Sequence, residues 1–162
     1  MSFGQMRDIG AWLKCYTAML PAVITAGAGN DGVEVDGTWF PVGSDHTSAM
    51  LIISWVAALA DTETLSLTAN IQDATAQAGT GAADFGEELA ITVVATSDGG
   101  TTEYGTTVLQ LPEFNGNRGF VRAQITATLS ATGTDTVSLG AVLVCGGMAD
   151  LPDGPGGLQL SV

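Results

Sequence analysis

Apolar and polar residues alternate along most of this chain with a period of two, the pattern of strands that bury one face. It is cleanest from Glu63 to Ile71, where Leu65, Leu67, Ala69 and Ile71 share one face and Thr64, Ser66, Thr68 and Asn70 the other. The same period runs through Val121, Ala123, Ile125, Ala127 and Leu129, and again through Val137, Leu139, Ala141, Leu143 and Cys145. With Gly133 as pivot, these two runs predict a hairpin whose cross-strand pairs are Leu129–Val137, Ala127–Leu139, Ile125–Ala141 and Ala123–Leu143. Most of those pairs set a large side chain against a small one, which packs without voids. Further strands are expected at Ala22–Ala26, in Val33–Pro41 around a tight Asp36-Gly37 turn, at Leu89–Thr96 and at Thr106–Leu111. The last two flank the turn region Ser97-Asp98-Gly99-Gly100. Ser48 to Leu59 is different: it is almost continuously apolar, as expected of a strand covered on both faces. Gln72 to Glu88 is rich in Ala, Gly and Asp and reads as a surface loop.

The two ends depart from this period. Phe3, Met6, Ile9, Leu13, Tyr16 and Leu20 recur at spacings of three and four, which predicts a helix from Ser2, a candidate cap, to Leu20, ended by Pro21. Trp12 belongs to the same stripe. Such a helix docks either on its own domain or, as an arm, on a neighbouring subunit. At the other end, Leu151–Val162 contains Pro152 and Pro155 and finishes in the apolar Leu158, Leu160 and Val162. Such a tail is either disordered or an extended arm that adds to a neighbour's sheet edge, and the apolar ending favours the arm. The organisation is therefore an N-terminal helix or arm over 1–21, a sandwich domain over 22–147 and an extended tail over 148–162. The fold class is all-β: an antiparallel β-sandwich, jelly-roll or immunoglobulin-like.

Composition narrows the functional field. Ala and Gly supply 22 residues each and Thr 20 of the 162, while only 13% are charged, against about 25% in an average domain. Seventeen acids, four bases and one histidine give a formal charge of −13. Arg7, Lys14, Arg118 and Arg122 are too few to neutralise a run of phosphates, so neither nucleic acid nor an anionic membrane surface is an expected partner. The longest apolar stretch, Ala49–Ala60, is short of the roughly 20 residues that a spanning helix needs. No apolar run accompanies the early charges Arg7, Asp8 and Lys14, so no secretory signal is expected. Cys15 and Cys145 form neither a metal nor a disulfide framework and are expected as free, buried thiols.

Candidate chemistry is sparse. Ser44, Asp45 and His46 are adjacent, and neighbouring residues point apart, so they cannot form a catalytic triad. Asn30, Asp31, Glu34 and Asp36 are oxygen-rich, yet their spacing does not match a calcium loop. Asp84 with Glu87 and Glu88 lacks nearby aromatic or basic groups that would hold a sugar at a paired-carboxylate site. No catalytic residue, cofactor site or metal site is expected, and the protein is not expected to be an enzyme. Trp55 belongs in the core. Trp39 and Phe40, side by side, are the aromatic pair placed to be presented outward, more as an interface anchor than as a sugar platform. The expected interface residues are thus Phe3, Met6, Ile9, Trp12, Leu13, Trp39, Phe40, Leu158, Leu160 and Val162.

Two phrases carry a resemblance. Ser48–Phe85, centred on Leu65-Ser66-Leu67-Thr68-Ala69-Asn70-Ile71-Gln72-Asp73-Ala74, resembles small proteins encoded among the head and tail genes of tailed phages and prophages. Gly119-Phe120-Val121-Arg122-Ala123-Gln124-Ile125-Thr126, followed by Ser130-Ala131-Thr132-Gly133-Thr134-Asp135, has the same character. Together they cover roughly residues 20 to 147 and include no catalytic motif. The resemblance implies a virion accessory protein similar to head decoration or cement proteins. It implies the major capsid protein and further copies of itself, a trimer above all, as partners. It also implies a place on the capsid surface after synthesis in the host cytoplasm. A tail or neck protein, which would form rings, and a carbohydrate-binding module are the alternatives.

Overall fold

The structure is a computed structural model that describes residues 13–42, 46–86, 88–131 and 133–148. Ten strands follow in chain order: β1 (Lys14–Thr25), β2 (Glu34–Asp36), β3 (Phe40–Pro41), β4 (His46–Ala58), β5 (Thr64–Ala74), β6 (Ala83–Asp84), β7 (Leu89–Thr96), β8 (Thr102–Leu111), β9 (Phe120–Leu129) and β10 (Thr136–Met148). All pairings are antiparallel. One sheet has the order β1-β10-β4-β8. In the other, β9 and β5 form the centre, with β2 and β3 along the outer edge of β9 and β6 and β7 along the outer edge of β5. Counting each of those edge pairs as one broken strand leaves eight positions, ordered 1-8-3-6 in one sheet and 2-7-4-5 in the other. That is the jelly roll, one of the two sandwiches the sequence allows.

The period-two runs form these strands because each sheet needs one apolar face. Leu51, Ile53, Trp55 and Ala57 of β4 and Val137, Leu139, Ala141 and Leu143 of β10 meet Leu65, Leu67, Ala69 and Ile71 of β5 and Val121, Ala123, Ile125 and Ala127 of β9 in one buried core. Phe114, in a single 3-10 turn, closes one end edge-to-face against Phe85, with ring centroids 5.6 Å apart. Nearby, Asp73 is buried and takes hydrogen bonds from the Arg118 backbone N–H and guanidinium. Arg118 also donates to the Gly81 carbonyl at 2.7 Å, which pins the 75–82 loop.

Several expectations are corrected. Lys14–Leu20 is strand, not helix, and β1 continues past Pro21 to Thr25. The residues spaced as in a helix do not share a face there: Leu13 and Leu20 are exposed, whereas Ala18, Met19 and Ile24 are buried, and the register shifts between Thr17 and Met19 and between Met19 and Ala22. Residues 1–12 and 149–162 lie outside the described residues. The β9–β10 hairpin is also overturned: β9 pairs with β2, β3 and β5, and β10 with β1 and β4. Alternation fixes only which face is buried, and two apolar faces stacked across a sandwich satisfy it as well as two strands side by side. Nor is Asp36-Gly37 a hairpin turn, because β2 and β3 both pair with β9. Gly37 lies where the two sheets approach; its N–H donates to the Ala123 carbonyl at 2.7 Å, and a Cβ would overlap the Ala18 carbonyl oxygen of β1. Finally, β4 is buried on one face only, with Met50, Ser54, Val56 and Ala58 exposed on the other.

Candidate interaction surface

The registers of β1, β10, β4 and β8 place five rows of side chains on the outer face of their sheet. From one end they are Cys15–Val144–Met50–Gln110, then Thr17–Val142–Ile52–Val108, then Gly140–Ser54–Thr106. Val23–Ser138–Val56–Tyr104 and Thr25–Thr136–Ala58–Thr102 complete the face. None of these side chains is charged at neutral pH. Tyr104 is 81% exposed and Val56 50%. β-Branched residues dominate because the strands need them, yet here they point away from the core. The face is not flat. Gly140 and Ser54 have little or no side chain, and a trough of about 410 Å³ opens over them between Val142 and Val56, walled on the β1 side by Thr17 and Pro21. A second hollow of about 350 Å³ lies at the Met50 end, lined by Leu13, Met50, Gln110, Pro112 and Val144 among others.

The outer face of the other sheet differs in chemistry, apart from Ile91 and Val93, which are exposed on its edge strand β7. Arg122 donates to Gln72 Oε1 and, at 2.6 Å, to Asp36 Oδ2. Gln124 donates to Glu34 Oε1 at 2.6 Å and to Asp36 Oδ1 at 2.8 Å. Asp84 Oδ1 accepts from Gln72 and Asn70, and these hydrogen bonds, Gln72's first, hold its carboxyl below the usual carboxylate range. The result is a continuous polar ribbon across the strands whose donors and acceptors satisfy one another.

The sequence-predicted residues fall in several places. Leu13 is exposed and lines the hollow at the Met50 end. Trp39 and Phe40 are both half-buried. The Arg122 guanidinium lies 4.9 Å from the Trp39 ring centroid, and Phe40 stacks on Tyr16 at 5.2 Å, so the two rings have separate partners within the chain. Phe3, Met6, Ile9, Trp12, Leu158, Leu160 and Val162 lie outside the described residues. The oxygen-rich loop is a structural clasp: Asn30 accepts from Thr25 N–H and donates to the Val23 carbonyl, and Asp31 accepts from the Gly27 and Leu129 N–H groups. Cys15, on the outer face of β1, is exposed rather than buried as expected, whereas Cys145 is buried and its thiol is pushed up to about 12, chiefly by desolvation. Among the described residues no group of three or more His, Cys, Asp or Glu could hold a metal ion, and no helix is long and apolar enough to cross a membrane. The outer-face residues Met50, Ile52, Val56, Tyr104, Val108, Val142 and Val144 are absent from the sequence-predicted set. Their signal was the continuous apolar run of β4, which promises cover on two faces where this chain supplies it on one.

No protein-family model matches this sequence, and no curated protein does. Among solved structures, the VP2 subviral particle of infectious bursal disease virus is similar at 15% identity and a TM-score of 0.47, over 86% of this chain and 33% of that one. The Gx strain of the same virus gives 15% identity and a TM-score of 0.43, over 85% of this chain and 33% of that one. Dimeric latent PorU from Porphyromonas gingivalis gives 13% and 0.39, over 89% of this chain and 14% of that one. The chain thus spans about a third of the length of the viral chains and less of PorU. At these values no function, partner or assembly passes from them to this protein.

Proposed function

We infer that this protein is a structural component of a virus particle, a decoration or cement protein on the head of a tailed phage. It acts as a homo-oligomer that bridges neighbouring capsid subunits and opposes the pressure of packaged DNA. The observation that carries this reading is the uncharged, largely apolar outer face of the β1-β10-β4-β8 sheet on a chain of net charge −13. An exposed face that carries Met50, Val56, Tyr104, Val108 and Val142 without a charge marks an interaction site. Jelly rolls serve capsid, lectin and cupin domains alike, and the fold alone selects none of them. The lectin and cupin uses need a polar or metal-ligating constellation, and the polar groups on the other sheet are engaged with one another. The phage resemblance of residues 48–85 and 119–135 then favours the virion. Binding several sites at once turns modest contacts into strong attachment, with the expected arms at both ends supplying shell contacts. The acidic remainder of the surface keeps particles apart in solution.

The test is to mix the purified protein with expanded, empty phage shells, sediment them and heat them. Co-sedimentation with a raised rupture temperature is the expected result. Shells that neither retain the protein nor gain thermal stability refute the decoration role, and a ring of six or more copies that ignores shells moves the protein to the tail or neck.

A further inference from the structure

We propose that the outer face of the β1-β10-β4-β8 sheet is the seat of a second copy of this chain, packed face to face about a two-fold axis. The proposal rests on reading that face as an interface and goes further by naming the occupant. Three observations select it. The first is electrostatic. A copy of net charge −13 repels another copy, and the five rows of this face bring no charged side chain into contact. The polar ribbon of the other sheet would set Glu34, Asp36 and Asp84 against their own images.

The second is shape. A two-fold interface is isologous, so one surface must complement itself, with residue i meeting j and j meeting i. This face carries a β-branched ridge, Val142–Ile52–Val108, directly beside a trough floored by Gly140 and Ser54. Turned through half a revolution, the ridge of each copy enters the trough of the other. Within the chain, a Cβ at Gly140 would touch the Pro21 backbone of β1 at 3.5 Å, and a larger side chain at Ser54 of β4 would fill the trough.

The third is area. Four strands about 4.8 Å apart and eight residue steps from Thr136 to Val144 at about 3.3 Å define roughly 500 Å² of sheet plane per copy. The accessible surface of the ridged face is larger than its plane. Two copies therefore reach the lower end of the roughly 1,200–2,000 Å² buried in stable complexes. The two-sided cover implied by the apolar run of β4 is then completed by the second copy.

The experiment is light scattering and sedimentation equilibrium of the full chain over a range of concentrations, without shells, for the wild type and for V142K, V56K and T68K. Val142 and Val56 stand on the ridges that flank the trough, and each is at least 40% exposed in the single chain, so lysine there is compatible with the fold. Thr68 is on the outer face of the other sheet. The expected result is a wild type at twice 16.4 kDa. V142K and V56K, which each place two unpaired charges in the contact, weaken pairing at least about 100-fold, while T68K pairs as the wild type does. Circular dichroism reports the fold of each variant, and either ridge variant suffices if the other fails to fold.

A wild-type monomer, a trimer or ring, or a dimer indifferent to both ridge variants overturns the proposal. If the wild type is a monomer, binding of a hydrophobic dye identifies the rival occupant: dye excluded until residues 1–12 are removed assigns the face to that segment. Dye bound and then displaced by shells assigns it to the capsid. Because pairing is read without shells, its failure leaves the decoration reading standing, and failure of shell binding leaves the pairing standing.

Discussion

Gly105 of β8 sits directly opposite Trp55 of β4, and the indole lies over it. Trp55 is 7% exposed and donates from Nε1 to Thr107 Oγ1 at 3.2 Å. A Cβ added at residue 105 would lie 2.5 Å from the indole Cζ2 and 3.0 Å from Cε2 and Cη2. The backbone at 105 is not in the left-handed region, so alanine meets no conformational penalty there. Removing glycine's freedom from the unfolded chain would by itself stabilise by about 0.4–1 kcal/mol. Against this, displacing a well-packed ring costs about 1–3 kcal/mol and stretches the indole hydrogen bond. The second effect wins, and Gly105→Ala loses about 1–2 kcal/mol, a fall in Tm of about 2–8 °C for a chain of this length. The sign is the sharper test. With the ring gone, in Trp55→Leu, nothing opposes the new methyl group, and Gly105→Ala raises Tm relative to Trp55→Leu alone. Thermal and urea unfolding of the four proteins at one fixed concentration closes the cycle, with a coupling energy of about 1.5–3 kcal/mol. A Gly105→Ala cost that is the same with and without the indole refutes the reasoning.

Gly37→Ala is expected to cost more than Gly105→Ala, at the upper end of about 1–3 kcal/mol or beyond, because its new methyl meets the Ala18 backbone rather than a side chain that can turn; equal losses in urea unfolding would contradict this. Cys145 makes stability sensitive to alkali. Its thiol is held neutral up to about 12 in the fold, whereas in the unfolded chain it ionises near its ordinary value of about 8.5. Between those values the unfolded state binds fewer protons, so the contribution is complete below about pH 8.5 and declines as pH rises toward 12. Tyr16, also raised by burial and by Cys145, adds in the same direction at higher pH. Urea midpoints followed from neutral to about pH 11 should fall more steeply for the wild type than for Cys145→Ala, and parallel curves would sink the assignment.

The strands were legible where one face is buried and the other is not. Glu63–Ile71 and Val121–Leu129 alternate because β5 and β9 lie at the centre of a sheet with a core on one side and a polar ribbon on the other. Their partners were not legible. The large-small complementarity that paired Ala127 with Leu139 is a property of any two apolar faces in contact, and here those faces belong to opposite sheets. Asp36-Gly37 misled for a related reason: glycine was read for its freedom to turn, while the fold uses its lack of a side chain at a close approach between sheets. At β1 the spacing of Tyr16 and Leu20 misled because Leu20 points to the exposed side and the buried positions are Ala18, Met19 and Ile24. The candidate surface was half legible. The continuous apolar run of β4 announced cover on two faces, but only the register against β8 and β10 could reveal that Val108, Tyr104, Val142 and Val144 extend the uncovered face across the sheet.

The position of β10 also governs how the molecule comes to be made. The last strand of the chain lies between the first strand and β4, with Lys14 beside Cys145 and Ala58 beside Thr136. While residues 136–148 are still inside the ribosome, β1 and β4 have no partner on their facing edges, and the growing chain carries two open strand edges flanked by apolar residues. Closure must await residues 136–148, since no piece that lacks them can complete that sheet. A fold built on such distant pairings is slow by nature, and its half-made form is the one that clumps. The sequence is therefore under pressure to remain soluble before it is folded as well as after. Seventeen acids against four bases act on the nascent chain from its earliest appearance, when mutual repulsion between neighbouring polypeptides on one message is the protection available.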